Sequence, residues 1–380
     1  MSDKKNPLYY CATDKEIFDV LKSAKQRLTE HVLLELTKDK GIFYSANEDR
    51  DDLAEKISLL PHDYYDLNVL LARREQNNRS DKIKSETLNG NLTIEEIKEV
   101  AKELQENPEE DEKIKIVQDG NKLTVKIEYS DLNYAKSRLM QRVKKDADIE
   151  FEVSQDNTIL RFPANSKGES IAKKLTNRIE EKKKKEIPIL KIELIDISGH
   201  LAKTEFFTRL ITSLPGFRLS NVTNIKVESS HAKNNRDGDD EDDADIGDEA
   251  RDEMLGIVKN AALRGESLLS SRQYQDLKNG GFYIASIVWR SDKTSGKRER
   301  VEFFAGFEKP ETGEGFKFSV KGYYNFSSLE YTKSIRSFKD DEKREYIALI
   351  EQTAQTIIHN LKIEQTSSTN SNPKADDHND

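Results

Sequence analysis

Lys113-Ile-Lys-Ile-Val-Gln-Asp-Gly-Asn-Lys-Leu-Thr-Val-Lys-Ile127 is the stretch on which the fold of this 380-residue chain turns. Ile114 and Ile116, then Leu123, Val125 and Ile127, recur at the two-residue period of a strand that buries one face. Between the runs, Asp119-Gly120 supplies a residue that takes a positive φ without steric cost, so the pair predicts a β-hairpin. Downstream, the pattern predicts a helix over 133–144, a second hairpin over 149–162 around Asp156-Asn157, and a helix over 168–185. Two strands, helix, two strands, helix is the order of an α+β fold, an antiparallel or mixed sheet with helices layered on it, not a doubly wound parallel sheet.

The same reading extends to the C-terminus. A strand is expected at 189–197, a helix at 206–214 and a strand at 217–227, then helices at 254–263 and 268–277. A three-stranded meander follows at 282–289, 301–307 and 316–326, and a long helix places Ile347, Ile350, Ala354, Ile357 and Leu361 on one stripe. In the last strand, strict alternation puts Phe316, Phe318, Val320, Gly322, Tyr324 and Phe326 on one face, which reads as core packing and not as a base-stacking platform.

Composition constrains function. Hydrophobic residues make up 35 % and charged residues also 35 %, so compact cores are expected between solvated helices. The net charge of -9 is unevenly spread. Residues 113–229 carry 23 basic against 16 acidic groups, whereas 230–249 carry 2 against 9. A polyanion senses such a local basic block within the Debye length, about 8 to 10 Å, more than it senses the overall charge. One cysteine, Cys11, leaves no disulfide framework or multi-cysteine zinc site. The N-terminus lacks a signal peptide's apolar run and no stretch is long enough to span a bilayer, so a cytoplasmic protein without a membrane association is expected.

Upstream of the hairpins the period is helical. Thr13 and Glu16 form a capping-box pattern before Ile17, Leu21 and Ala24. Leu28, Val32 and Leu36 make one short helix, and Gly41-Ile42-Phe43 interrupts it. Leu53, Ile57 and Leu60 resume the pattern before Pro61, with Ser45 and Glu48 in capping relation and a third helix appended. This helix-extension-helix layout over residues 28–71 resembles a SAP-like domain, a family of small DNA-binding folds. The resemblance implies phosphate contacts by Lys38 and Lys40, with Arg50 and Lys56 also suitably placed. Residues 27–74, however, hold seven basic and ten acidic groups, a balance that opposes phosphate binding and leaves a protein-docking helical unit as the alternative. Arg74 to Asn91 shows no periodicity and reads as linker, followed by a helix at 92–104 opened by Thr93 and Glu96. The expected division is a helical region 1–74, a linker with one helix 75–112, a basic α+β domain 113–229, an acidic disordered loop 230–249, an α+β region 250–365 and a disordered tail 366–380.

Two further basic groups are candidates for phosphate contact. On the helix at 168–185, Lys173, Lys174, Arg178, Lys182 and Lys183 lie largely off the apolar stripe of Ile171, Leu175 and Ile179. In the turn 290–300, Arg290, Lys293, Lys297 and Arg298 cluster next to Trp289. Both patterns also describe ordinary solvated surface. The acidic loop lacks the residue order of a calcium-binding loop and could compete with nucleic acid for the basic region. No phosphate-binding glycine loop, nucleophile elbow or H-E-x-x-H spacing occurs, so no cofactor or metal is expected. Glu193, Asp196 and Lys191 leave a carboxylate-based, metal-dependent nuclease as an outlying alternative. The preferred expectation is a DNA-binding protein of low sequence specificity, not an enzyme, acting with protein partners in a larger complex. The alternatives are an accessory or effector subunit of a bacterial antiviral defence system and a protein-interaction scaffold.

Overall fold

The computed structural model describes residues 12–74, 82–109, 112–197, 199–229, 260–264 and 268–370. The acidic segment 230–249, most of the helix expected from Met254, and the tail beyond Asn370 lie outside the described residues. The chain is α+β and folds as two compact units.

The first unit is mainly helical: α1 (Asp14–Ser23), α2 (Glu30–Lys38), α3 (Arg50–Ser58) and α4 (Tyr64–Arg74), together with Ala101–Val117 and Val125–Asp148. The capping box at α1 forms as the sequence predicts: the Glu16 amide donates to Thr13 Oγ1 at 3.3 Å and the Thr13 amide to Glu16 Oε2 at 2.9 Å. At α3 the cap is Asp49, which accepts from the Asp51 amide, and the Ser45–Glu48 pair forms only the turn before it. Apolar residues at helical spacing converge on a core of Leu21, Leu28, Leu33, Leu53 and Ala54, all fully buried. The helix expected at 133–144 does not form. Asn133 Oδ1 accepts from the Ala135 amide, and the Asn133 amide bonds to Gln141 O, so a side chain that competes with the helical pattern closes a loop instead. A short 3₁₀ turn at Arg138–Met140 follows, placing Leu139 in the core and Arg138 on Glu16.

The second unit, Arg79–Val100, Gln118–Thr124 and Ile149–Asp380, is built on the sheet. In chain order the remaining elements begin with β1 (Ile83–Leu88), α5 (Ile94–Glu106), β2 (Lys113–Asp119), β3 (Lys122–Leu132), β4 (Arg142–Val153), β5 (Thr158–Pro163) and α6 (Ser166–Lys183). Then come β6 (Ile189–Lys191), α7 (His200–Thr212), β7 (Phe217–Ser229), β8 (Asn260–Arg264) and α8 (Arg272–Asn279). The last are β9 (Phe282–Lys293), β10 (Glu299–Lys309), β11 (Glu314–Ser327), β12 (Glu330–Tyr331) and α9 (Asp340–Asn370). Gly120 takes φ 57 in the turn between β2 and β3, as the Asp-Gly signal predicts. Several expectations are corrected. The expected linker holds β1, which pairs with β5 along its whole length and meets β11 at Ile83; its alternation is too short to stand out among polar neighbours. The strand expected at 189–197 is only the three residues of β6. Residues 260–264 form a strand on β7, not a helix end, and α9 continues through Asn370, past the expected start of disorder.

The sheet of this unit runs β4–β5–β1–β11–β10–β9–β7–β8, and its pairings are antiparallel. One face packs under α7 and α9: Trp289, Phe303, Phe307, Phe316 and Phe318 meet Phe206, Phe207, Leu210, Ile350 and Ala354. Arg161 of β5 points to this same side, where its guanidinium meets Glu351 of α9 at 2.8 Å and reaches Glu150 and Glu152 on β4. The alternate residues Leu160 and Phe162 therefore face the other way, toward the side on which α6 packs against β5.

Candidate nucleic-acid interface

The fold scatters the cations singled out by sequence and engages most of them internally. On the N-terminal helices, Lys38 is exposed at the end of α2. Lys40, by contrast, donates to Pro61 O at 2.8 Å and pairs with Asp66. Arg50 is structural, donating to the carbonyls of Leu21 and Leu28, and Lys56 pairs with Glu48.

The helix α6 is capped by Asn165, whose side chain accepts from the Gly168 amide at 2.8 Å, and it buries Ile171, Leu175 and Ile179. That burial turns Lys173 and Lys174 to solvent and leaves Arg178 half-exposed. The last turn reaches α5: Lys183 lies 3.0 Å from Glu96 and Lys182 3.4 Å from Glu99. Lys173 lines a cleft of about 520 Å³ whose wall mixes Lys84, Lys191 and Lys309 with carboxylates such as Glu193 and Glu314. Mixed charge of this kind gives no net pull on a phosphate chain. Asp196 pairs with Lys362 and does not join Lys191 and Glu193 in the cleft wall. Among the described residues no cluster of three His, Cys, Asp or Glu side chains could hold a metal ion.

The turn between β9 and β10 also satisfies its own charges. Arg290 sits inside β9, not at the tip, bonded to Glu302 at 2.8 Å; Lys293 donates to Tyr346 Oη, and Lys297 pairs with Glu299. Arg298 is exposed, its guanidinium 5.2 Å from the Phe326 ring centroid.

A cation cluster that no sequence pattern announces lies on the sheet face turned away from α7 and α9. It draws Lys82 from the residue before β1, Lys317 and Lys321 from β11, and Arg290 from β9, so no short window of sequence contains it. The Lys82 ammonium stands 4.3 Å from the centroid of Phe304, with Lys317 and Lys321 near it. Partial loss of solvent and these two like charges hold Lys82 below the ordinary lysine range. Two carboxylates answer the cluster: Glu302, 2.8 Å from Arg290 and 3.3 Å from Lys321, and Glu308, which is bonded to Lys84 and held below the usual glutamate value by that lysine and by Lys317. Burial would push Glu302 up, but Arg290, Lys321 and the Tyr324 hydroxyl outweigh it and hold the carboxyl below the usual glutamate value.

Aromatic rings join this face through a fault in the ladder. The register between β10 and β11 shifts between Glu302 and Phe303, so that Phe303 pairs with Val320, Glu302 with Gly322, and Lys321 is the extra residue. One inserted residue reverses the parity of everything after it. Phe316 and Phe318 remain in the core, whereas Tyr324 opposes Arg300 and turns outward, donating through its hydroxyl to Glu302 at 3.0 Å. The single-face reading of 316–326 is therefore corrected at the bulge. Gly322 has φ 153, and a Cβ there would collide with the carbonyl oxygen of Arg336 and stand 2.8 Å from Ile335 Cγ1. Beyond the bulge, guanidinium groups cover rings in succession: Arg290 at 4.7 Å from Tyr324, Arg300 at 4.0 Å from Tyr331, and Arg298 over Phe326. Phe326 and Tyr331 meet edge to face at 5.1 Å.

No known family pattern matches this chain, and no curated protein is similar to it. Among the described residues no helix is long and apolar enough to cross a membrane.

Proposed function

We propose that this chain binds nucleic acid, DNA in the first instance, with low sequence specificity and without catalysing a reaction on it, as a subunit of a larger complex. The observation that carries the reading is the placement of Lys82, Lys317 and Lys321 on one sheet face, where the Ile83–Phe318 pairing sets Lys82 beside β11 and over Phe304, with Glu302 and Glu308 as the near carboxylates. Lysines placed together on one face gain from a polyanion, whose condensed counterions they release on binding. Lys173 and Arg178 on the outer side of α6 would add contacts to a long ligand. Lys182, Lys183, Lys293 and Lys297 already have partners and contribute less. In the N-terminal unit, the pairing of Lys40 with Asp66 and of Lys56 with Glu48 favours a protein-docking role for the helices over a phosphate-contacting one.

Fluorescence anisotropy with single-stranded DNA, duplex DNA and RNA at two salt concentrations tests this. Binding should weaken with salt, and reversing the three lysines to glutamate should lower the log–log salt slope by about two on a single strand. Absence of binding to every nucleic acid at low salt, or binding indifferent to the triple reversal, would overturn the proposal.

A further inference from the structure

Resting on that reading, we infer that the ligand of this face is a single strand, with phosphates on Lys82, Lys317 and Lys321 and bases stacked on the arginine–ring pairs built on Tyr324, Phe326 and Tyr331. Three features of the face converge on this class. First, its ammonium charge and its rings are separated. Arg290 and Arg300 are each held by a carboxylate, Glu302 and Asp292, with Arg300 bidentate at 2.7 and 3.1 Å. Guanidinium groups neutralised in this way add little pull on phosphate but keep their planar faces, on which a base can stack as on a ring.

Second, the rings face outward only because the pairing is irregular. Without the bulge at Lys321, Tyr324 and Phe326 would follow Phe316 and Phe318 into the core. With it, Tyr324, Phe326 and Tyr331 sit half-exposed on the face that carries the lysines, beyond Lys321 along β11. Third, the face is the surface of a sheet. A duplex would meet it mainly with the phosphates along its edge, since its bases are stacked inside and a broad sheet reaches them only by bending and opening a groove, at the energetic cost of unstacking base steps. A single strand presents every base plane, and stacking on a ring is sequence-tolerant because every base has one, which agrees with low specificity.

The test compares an oligo(dT), a duplex of similar length and inorganic polyphosphate, an anion with no bases, by anisotropy or competition with the full chain. The Phe326→Leu/Tyr331→Leu variant should lose on the order of tenfold in oligo(dT) affinity for each ring that carries a base, while polyphosphate binding stays at the parent level. Because these changes could disturb the hairpin, a companion Phe326→Tyr/Tyr331→Phe variant keeps both rings and should bind oligo(dT) like the parent. Duplex bound as tightly as oligo(dT), or equal oligo(dT) affinity in the leucine variant and the parent, overturns the single-strand assignment but leaves nucleic-acid binding standing. If none of the three probes binds, the underlying reading fails as well.

Discussion

Replacing Arg161 by methionine isolates the interaction that ties α9 to the sheet. Arg161 is 6 % exposed and Glu351 1 % exposed, and the guanidinium that answers Glu351 also reaches Glu150 at 2.9 Å and Glu152 at 2.6 Å. Burial already pushes the Glu351 carboxyl above its ordinary value, and Arg161 pulls it back. Without the arginine, Glu150 retains Arg344 and Glu152 retains Lys122, but Glu351 has to fold as the neutral acid. Protonating it at pH 7 against an ordinary value of 4.5 costs about 3.4 kcal/mol, at 1.36 kcal/mol per pH unit, which is the upper limit of the deficit because the parent's Glu351 is itself raised and already carries part of this cost. This limit lies at the lower end of the range of about 3 to 5 kcal/mol for removing one member of a buried pair. The sign follows from linkage. A carboxyl whose folded value is raised takes up a proton on folding, so the variant's deficit should shrink by about 1.4 kcal/mol for each pH unit of acidification until the parent's own raised Glu351 begins to protonate. Glu152, which burial raises but Arg161 pulls below its usual value, loses that pull and acts in the same direction. Urea unfolding followed by the fluorescence of Trp289, the sole tryptophan and fully buried, reads the deficit at pH 7 and about pH 5.5. The double variant Arg161→Met/Glu351→Leu removes both charges and should recover most of the loss. The absence of any deficit at pH 7, or one that does not shrink on acidification, would refute the reasoning.

Gly322→Ala forces a Cβ against the Arg336 carbonyl oxygen, a backbone atom with little freedom to move. A loss of roughly 1 to 3 kcal/mol is expected in the same unfolding assay, and parental stability would show that the bulge tolerates a side chain. In the N-terminal unit, Lys22 and Lys25, each 2.9 Å from Asp51, hold its carboxyl well below the usual carboxylate range. A lowered folded value gives stability that is present above about pH 4 and fades as pH falls through the folded value. The Lys22→Ala/Lys25→Ala variant should therefore differ most from the parent near neutrality and least in acid, followed by far-UV circular dichroism; a difference that grows on acidification would count against the contact.

Much of the fold is legible in sequence because it rests on local periodicity. Capping residues and apolar spacing locate the N-terminal helices, and the runs around Gly120 and Asp156 locate strands, since each signal lies within a few residues. The misreadings have physical causes, one local and two long-range. Asn133 takes its own backbone out of a helix through a side-chain hydrogen bond, and β1 is a six-residue strand among polar neighbours that is recognised only by its partner β5. Lys182 and Lys183 look like free cations until α5 brings Glu96 and Glu99 to them.

By itself, the sequence determines that this chain is α+β, where most of its helices and strands lie, and that its basic charge is concentrated in blocks, because helix and strand periods and charge are properties of neighbouring residues. Tertiary structure alone decides which cations stand together and which are neutralised. Lys82 and Lys317 are separated by most of the chain and meet only because β1 lies beside β11. The same holds for the rings. Alternation assigns Tyr324 and Phe326 to the core, and one residue inserted opposite Glu302 and Phe303 turns them to the face that carries the lysines. Strand pairing is a long-range choice, so the position of a bulge, and with it the side on which a ring appears, is absent from the two-residue period that identifies the strand.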